Sequence, residues 1–198
     1  MENYSESAEK NRQPILDKLK YHFHQATSVL EIGSGSGQHA VFFTTHLTQL
    51  IWQATETAEN LPALQNNLLQ QKSLQLPPPL LLDVQNRHWP LSRAENIFTA
   101  NTLHIMPLAV VEKMFSGIGS ILNQRGLLCV YGAMRYNGCF TSDSNARFDH
   151  RLKQQNPARG IRDFETIDLL AKEQELELMA DHDMPSNNQL LVWRRRKG

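Results

Sequence analysis

The chain has 198 residues, and its 20 Lys and Arg balance 20 Asp and Glu, so the formal net charge is zero. That balance gives no global field toward nucleic acid or a membrane surface, and 40% hydrophobic content is typical of a globular protein able to bury a core. The two cysteines, Cys129 and Cys139, exclude a cysteine-rich zinc module and argue against a disulfide scaffold. With a polar amino-terminal stretch and no long apolar run, neither a secretory signal nor a membrane span is predicted, and a cytoplasmic location is expected.

The spacing of apolar residues predicts an α/β chain. A first amphipathic helix is expected over about 7–24, opened near Pro14, within an amino-terminal helical arm covering 1–25. Short apolar runs then alternate with helical patterns, which predicts strands at 28–32, 50–55, 80–84, 96–100 and 126–133 and helices at 38–48, 58–71 and 108–122. Such an alternation predicts a parallel sheet with right-handed crossovers and helices on both faces.

The last third of the chain follows another pattern. A helix around 163–174 precedes the stretches "LELMAD" and "QLLVWRR", which the short polar turn "MPSNN" joins. A hairpin here would place the last strand antiparallel to its neighbours. The expected fold is therefore one domain over 1–198 with a Rossmann-like, seven-stranded mixed sheet. In this layout it resembles the class I methyltransferases that use S-adenosylmethionine.

A glycine-rich turn, "VLEIGSGSGQHA", closes the first predicted strand. Two fingerprints can be drawn on it. The dinucleotide pattern falls on Gly35, Gly37 and Ala40, whereas the acidic-x-G-x-G-x-G pattern of methyltransferases falls on Glu31, Gly33, Gly35 and Gly37. Glu31 favours the second pattern, because a carboxylate suits the ammonium and sulfonium groups of S-adenosylmethionine better than the pyrophosphate of NAD.

Two further acids are expected where an adenosine ligand would need them. Glu56 ends the second predicted strand at the spacing typical of an acid that binds ribose hydroxyls, a role that would serve NAD equally. Asp83 ends the third, where it can accept a hydrogen bond from the adenine amino group beside the backbone N–H of Val84. Together with Glu31 these residues predict a nucleoside cofactor, with S-adenosylmethionine favoured.

The acceptor is expected to meet the methyl donor beyond the carboxyl ends of the fourth and fifth strands. Asn101 follows the fourth strand and is expected near the donor. His104, one turn later, is a candidate general base with a pKa near working pH. The alternative is that Asn101 caps the next turn and His104 only packs.

The segment 134–162 is a long insertion, which is expected to cover or build a substrate site. The candidate substrate-binding residues share polar groups that can orient a small molecule: Tyr131, Arg135, Asn145, Asp149 and Arg162. Asp149 can equally lie on the exposed face of a short helix, and Arg162 can belong to a helix cap instead of an anion clamp. The histidines show no metal-ligand spacing, so no metal is predicted, and a small-molecule partner is favoured over nucleic acid.

Longer segments carry a family resemblance: "NRQPIL", "VLEIGSGSGQHA", "HWPL", "NTLHIMPL", "YGAMRYNGCFTSDSNARFDHRLKQQNPARGIRDFE" and "MPSNNQLLVW". They resemble an uncharacterised methyltransferase-like family, whose vertebrate member is methyltransferase-like protein 26, over nearly the whole chain. The resemblance implies the class I fold and an S-adenosylmethionine site, and leaves the substrate open. It also implies that the amino-terminal helix, which Asn11 and Arg12 are expected to precede, can fold across the cofactor mouth.

The chain departs from that family pattern at a few positions. It has Ala54 and Thr55 where the pattern tends to read Pro-Ser, and Arg125 where a glycine often precedes the fifth strand. Neither departure is expected to touch the glycine turn. The expected activity is methyl transfer from S-adenosylmethionine to a small molecule, with a non-catalytic cofactor-binding protein, an NAD-linked oxidoreductase or a nucleic-acid or protein methyltransferase as the alternatives.

Overall fold

Helices and strands alternate along most of the computed structural model, which describes residues 1–71 and 73–197. The helices are α1 (Glu6–His22), α2 (Gln38–His46), α3 (Leu61–Leu69), α4 (Leu108–Ile121), α5 (Asp143–Gln155) and α6 (Phe164–Glu173). The strands are β1 (Ser28–Ile32), β2 (Ile51–Glu56), β3 (Leu80–Leu81), β4 (Ile97–Ala100), β5 (Leu127–Gly132), β6 (Met134–Tyr136), β7 (Cys139–Phe140), β8 (Arg162–Asp163), β9 (Leu176–Met184) and β10 (Asn188–Arg195).

Seven of these strands form one sheet in the order β3-β2-β1-β4-β5-β10-β9. Strands β1 to β5 pair in parallel, whereas β10 is antiparallel to both β5 and β9. The predicted seven-stranded mixed sheet with an antiparallel last strand is therefore confirmed. The third strand is the exception among the predicted bounds, because β3 has two residues and Asp83 and Val84 lie beyond its end.

Strand side chains alternate between two apolar clusters, one on each face of the sheet. Leu30 and Val130 belong to the cluster that includes buried residues of α4 and α6. Val29 and Cys129 belong to the cluster that includes α1, α2 and α3. Helices thus cover both faces of the sheet, as expected. Within the described residues, no helix is long and apolar enough to cross a membrane.

The insertion 134–162 contains more structure than a single short helix. Strands β6 and β7, with β8 just beyond them, form a second, three-stranded sheet in the order β7-β6-β8, and α5 follows β7. Strands of two or three residues show no periodicity, and for that reason the sequence patterns predict only the helix.

Helix α1 begins earlier than Pro14. The hydroxyl of Ser5 accepts a hydrogen bond from the Ala8 N–H at 3.2 Å and so caps its first turn. Asn11 and Arg12 therefore lie inside α1, and their expected position before the helix is wrong. The buried face of the helix packs on α2, which brings it close to the glycine turn.

The amino ends of β1 and β4 are joined by one carboxylate. The side chain of Glu95 accepts hydrogen bonds from the backbone N–H and the hydroxyl of both Thr27 and Ser28, at 2.6–3.2 Å. Burial alone would raise the pKa of Glu95, but these hydrogen bonds outweigh it and the pKa lies below its ordinary value of 4.5. Next to it, the Asn96 side chain donates to Ser28 O and accepts from Leu127 N, which fixes the start of β5 as well.

We expect Glu95→Gln to lower the free energy of unfolding at neutral pH by about 1–2 kcal/mol, since hydrogen bonds to a charged acceptor are the stronger ones. Because the folded state lowers the pKa of Glu95, this stabilisation is complete above 4.5 and is lost as pH falls through the lowered value. Urea unfolding of both proteins at neutral and acidic pH measures the effect, with the exposed Glu59→Gln as control. A loss that does not change with pH would contradict a role for the charge.

Candidate active site

The glycine turn between β1 and α2 has three residues in the left-handed region of the backbone map. The φ angles are +71° at Gly33, +57° at Gly35 and +83° at Gly37. A Cβ at Gly33 would lie 2.7 Å from the Thr102 methyl, and one at Gly37 would lie 2.9 Å from two leucines of α3. At Gly35 a Cβ would meet nothing within 4 Å. Gly33 and Gly37 therefore serve packing, whereas Gly35 borders open space.

Hydrogen bonds from the end of β2 hold this turn in place. Ser34 N donates to Thr55 O at 2.9 Å, and Thr55 N donates to the Ser34 hydroxyl at 3.1 Å. The Thr55 hydroxyl donates to Glu31 O at 2.7 Å, and Gly35 N donates to a carboxylate oxygen of Glu56 at 2.9 Å. The expectation that Ala54 and Thr55 do not touch the turn is thus wrong for Thr55, whose hydroxyl can make the bond that a serine would make there.

Glu31 lies beneath the turn, with 1% of its surface exposed. One carboxylate oxygen accepts the indole N–H of Trp52 at 3.0 Å. Burial raises the pKa of Glu31 to about 7, with the nearby Glu56 charge adding to the rise and the bonds from Trp52 and Ser34 opposing it. An acid with a pKa near neutrality responds strongly to any positive charge that is placed beside it.

Glu56 stands at the carboxyl end of β2, with both oxygens engaged by backbone. One oxygen accepts Gly35 N, and the other accepts Thr57 N at 2.8 Å. The second of these oxygens also accepts the Thr57 hydroxyl at 3.3 Å, whereas the oxygen that accepts Gly35 N can take a further hydrogen bond, so Glu56 is oriented and still has acceptor capacity. Of the two expected adenine contacts, Asp83 is partly exposed with one oxygen accepting Gln85 N at 2.9 Å, and Val84 is buried in the core.

The amino-terminal segment lies across α2 and α3 next to the turn. Ser5 N donates to the Gln38 side chain at 2.7 Å, and that side chain donates back to Ser5 O at 3.2 Å. Asn67 of α3 donates to Glu2 O at 2.9 Å and to Ser36 O at 3.0 Å. These bonds fasten the start of the chain beside the glycine turn.

A cavity of about 610 Å³ opens beyond the carboxyl ends of β4 and β5. Its walls come from α1, α5 and the turn before β10 as well as from the sheet edge. The lining residues are Ser5, Ser7, Lys10, Asn11, Asn101, His104, Ile105, Tyr131, Ser144, Asn145, Phe148, Arg151, Pro185, Ser186 and Asn188. The volume is in the range of sites for small molecules.

Asn101 and His104 both line this cavity. Asn101 has a φ of +60° and its N–H donates to Tyr131 O at 2.8 Å, so the chain turns sharply where β4 ends. His104 is buried, and burial together with the Arg162 charge lowers the pKa of His104 to about 4. The expected pKa near working pH is therefore wrong, and the imidazole is neutral at pH 7.

Tyr131 lies at the floor of the cavity, at the end of β5. Burial raises the pKa of Tyr131 to about 12, whereas hydrogen bonds with the side chains of Asn11 and Asn188 act in the opposite direction and lower it. The Asn11 side chain also bonds the buried His39 ring at 2.7 Å. Asn11 and Asn188 line the cavity because α1 and β10 meet at this edge of the sheet.

Asn145 lines the cavity, but its side chain has partners of its own. Its amide donates to the Thr141 hydroxyl at 2.9 Å and to Asn187 O at 2.8 Å, which ties α5 to the turn before β10. Asn145 therefore shapes one wall of the cavity.

Three of the expected substrate-binding residues are engaged away from the cavity. Arg135 pairs with Asp163 at 2.5 Å across the small sheet. Asp149 is buried, accepts Ile161 N at 2.8 Å and pairs with Lys153 at 2.6 Å. Neither lines the cavity, so the structure corrects both expectations: these residues hold the insertion together.

Arg162 is likewise an anchor in the structure. Its guanidinium donates to the carbonyls of Leu103 at 3.1 Å and Ala158 at 3.0 Å, and also to Met106 O. Gly160 N donates to His104 O at 3.0 Å in the same region. These bonds fix the loop after β4 against the insertion, and Arg162 does not line the cavity. The expectation of an anion clamp is corrected accordingly.

Several solved structures with a similar fold are described as methyltransferases. An O-methyltransferase family protein from Burkholderia thailandensis is 14% identical with a TM-score of 0.81, over 94% of this chain and 56% of that one. An O-methyltransferase family 2 protein from Planctomyces limnophilus, in complex with apigenin, is 13% identical with a TM-score of 0.80. The match covers 96% of this chain and 57% of that one. An O-methyltransferase from neocarzinostatin biosynthesis, with S-adenosylmethionine and 2-hydroxy-5-methyl naphthoic acid bound, is 16% identical with a TM-score of 0.77, over 94% and 54%.

These similarities show that the fold is that of class I methyltransferases, and the chain spans a little over half the length of each of these proteins. A family model matches residues 2–195, which is nearly the whole chain. The chain belongs to that family, described as protein of unknown function (DUF938). The family resemblance noted in the sequence is confirmed.

We expect Arg162→Gln to lower the free energy of unfolding by about 2 kcal/mol, because the partly buried bonds to the carbonyls of Leu103 and Met106 lose a charged donor. The Gly160 amide should also exchange its hydrogen faster, since the loop that accepts its bond is loosened. Urea unfolding and hydrogen exchange measure the two effects, and Arg147→Gln on the exposed face of α5 is the control. If the Arg162→Gln variant keeps its stability but binds an anion in the cavity more weakly, the predicted role of Arg162 in anion binding is supported instead.

Proposed function

We propose that this protein is an S-adenosylmethionine-dependent methyltransferase that acts on a small molecule. The observation that carries the proposal is the open space at Gly35, bordered by Glu56 and underlain by the buried Glu31. A turn whose middle glycine has no protein neighbour is a place where a ligand can approach the backbone. The acid beneath it favours a cationic ligand over a pyrophosphate.

The chain's residues fit this cofactor. Glu31 would stabilise its positive charge from beneath the turn, Glu56 would accept a ribose hydroxyl at the oxygen that accepts Gly35 N, and Asp83 with Val84 N–H would border the adenine. When bound, S-adenosylmethionine supplies a methyl group on a sulfonium, which a lone pair of the acceptor attacks while the carbon–sulfur electrons return to sulfur. The amino-terminal segment fastened across α2 and α3 would limit the access of water to this side.

The acceptor would occupy the cavity beyond β4 and β5. Its volume supports a small molecule, and two of the structurally similar methyltransferases hold apigenin and a naphthoic acid. Asn101 and His104 would orient the acceptor at the sheet edge, with the neutral imidazole as a hydrogen-bond partner. Tyr131 would add a hydroxyl donor. In this proposal the residues position the reacting atoms, and positioning alone is a large source of rate.

A cytoplasmic location and the absence of a nucleic-acid partner stay predictions. The described cysteines are unpaired, with Cys129 buried in β5 and Cys139 exposed, which supports a reducing compartment.

Calorimetric titration of the wild-type chain with S-adenosylmethionine, S-adenosylhomocysteine and NAD tests the cofactor, and we expect binding of the first two. Gly35→Ala should weaken that binding at least tenfold, because the new methyl occupies the open space. Gly138→Ala is a matched control, since Gly138 has a φ of +75° and also has nothing within 4 Å of a Cβ. Both variants should lose a similar stability, about 1 kcal/mol, from the left-handed backbone.

Binding of NAD without S-adenosylmethionine would end the proposal. An equal effect of the two alanine variants on cofactor affinity would show that strain, and not contact at Gly35, is responsible.

The titration of Glu31 gives the cofactor site a characteristic pH dependence. The pKa of Glu31 is about 7 in the free protein, and a bound cation favours the ionised form. We therefore expect the affinity for S-adenosylmethionine to rise roughly tenfold from about pH 5.5 to 7.5. Glu31→Gln should flatten this profile, which separates Glu31 from titration of the ligand itself. An unchanged slope in E31Q would remove Glu31 from cofactor recognition.

A further inference from the structure

The cavity beyond β4 and β5 has an unbalanced charge. Among its lining residues the charged side chains are Lys10 of α1 and Arg151 of α5, and none is a carboxylate. The chain as a whole is neutral, so this local excess of positive charge is a property of the cavity and not of the overall composition. Low-dielectric walls strengthen such a field inside a cleft.

Arg151 differs from Arg135 and Arg162, the two arginines of the insertion that the sequence predicts to bind substrate. Arg135 is paired with Asp163, and Arg162 donates to three backbone carbonyls. Within residues 1–71 and 73–197, Arg151 forms no ion pair and its guanidinium donates no hydrogen bond to protein. The guanidinium carbon lies 5.8 Å from the centre of the Phe148 ring, so the side chain rests on a wall of the cavity.

Phe148 connects this arginine to the expected reaction centre. Its ring meets the His104 ring edge-on, with 5.0 Å between centroids. His104 and Asn101 stand at the carboxyl end of β4, where the acceptor atom is expected. A ligand that spans the Phe148 wall therefore reaches Arg151 at one end and His104 at the other.

The remaining polar groups of the cavity do not cancel the positive charge. His104 is neutral at pH 7, and Tyr131 keeps its hydroxyl proton because burial raises the pKa of Tyr131. Lys10 is 3.8 Å from Glu6, but both side chains are about 80% exposed and such a pair contributes little. Lys10 is thus able to turn toward a ligand.

We propose that the acceptor is a small organic acid whose carboxylate is bound by Arg151, with Lys10 as a second cation, and whose nucleophilic atom faces Asn101 and His104. The acceptor role rests on the proposed function, whereas the anion site stands on the cavity alone. A guanidinium binds the two oxygens of a carboxylate in parallel, which matches a planar acid lying along Phe148.

Binding of 2-hydroxybenzoate and 2-hydroxybenzamide to the full chain tests this proposal, because the two probes have the same size and differ in charge. Titrations are made with and without saturating S-adenosylhomocysteine. We expect the acid to bind about tenfold more tightly than the amide, and Arg151→Gln to remove most of that difference while leaving the affinity for the amide unchanged. Arg151→Lys should recover part of it, and Arg147→Gln, one turn earlier on the exposed face of α5, should have no effect.

Three results would each overturn the proposal. They are equal affinity for acid and amide, no detectable binding of the acid, and an Arg151→Gln variant that binds both probes as the wild type does. Phenyl phosphate, added as a third probe, would overturn the assignment to a carboxylate if it bound more tightly with the same dependence on Arg151. If S-adenosylhomocysteine fails to bind while the acid still binds through Arg151, the proposed function fails and the anion site remains.

Discussion

The hydrogen bonds between the glycine turn and the end of β2 are the constraint on which the rest of the site depends. Glycine loses more backbone freedom on folding than any other residue, and here Thr55 and Glu56 supply the partners that keep the turn in one conformation. The same contacts set Gly35 at the edge of open space and orient the Glu56 carboxylate. Glu31 lies directly beneath, bonded to Trp52, so the acid and the turn are placed by one pair of adjacent strands.

Helix α1 joins this side of the molecule to the cavity beyond β4 and β5. At its start, Ser5 exchanges hydrogen bonds with Gln38 beside the turn. Two turns later, Asn11 bonds His39 and lines the cavity next to Tyr131. One rigid helix thus spans both halves of the site, and a shift of α1 would alter both at once.

The sheet, the turn and the acids at the strand ends could be predicted because each rests on a local pattern or on the rule that parallel strands end at one edge. The roles of Asp149 and Arg162 could not. Asp149 bonds an amide 12 residues away, and Arg162 bonds carbonyls 59 and 56 residues away. A charged side chain in a sequence does not reveal whether the fold already supplies its partner. Arg125 is a local case, since its φ of +65° explains why a glycine suits that position in the family pattern.

The protonation of the cavity limits the chemistry it can perform. Neither His104, with a pKa of about 4, nor Tyr131, with a pKa of about 12, changes its proton readily at neutral pH. A fixed neutral imidazole and a fixed hydroxyl can orient an acceptor, but they are poorly matched to removing its proton. The acceptor atom must then bring its own lone pair in reactive form. In the proposed complex Arg151 binds the carboxylate, which does not react, so the lone pair must come from a second atom of the same ligand that faces Asn101 and His104.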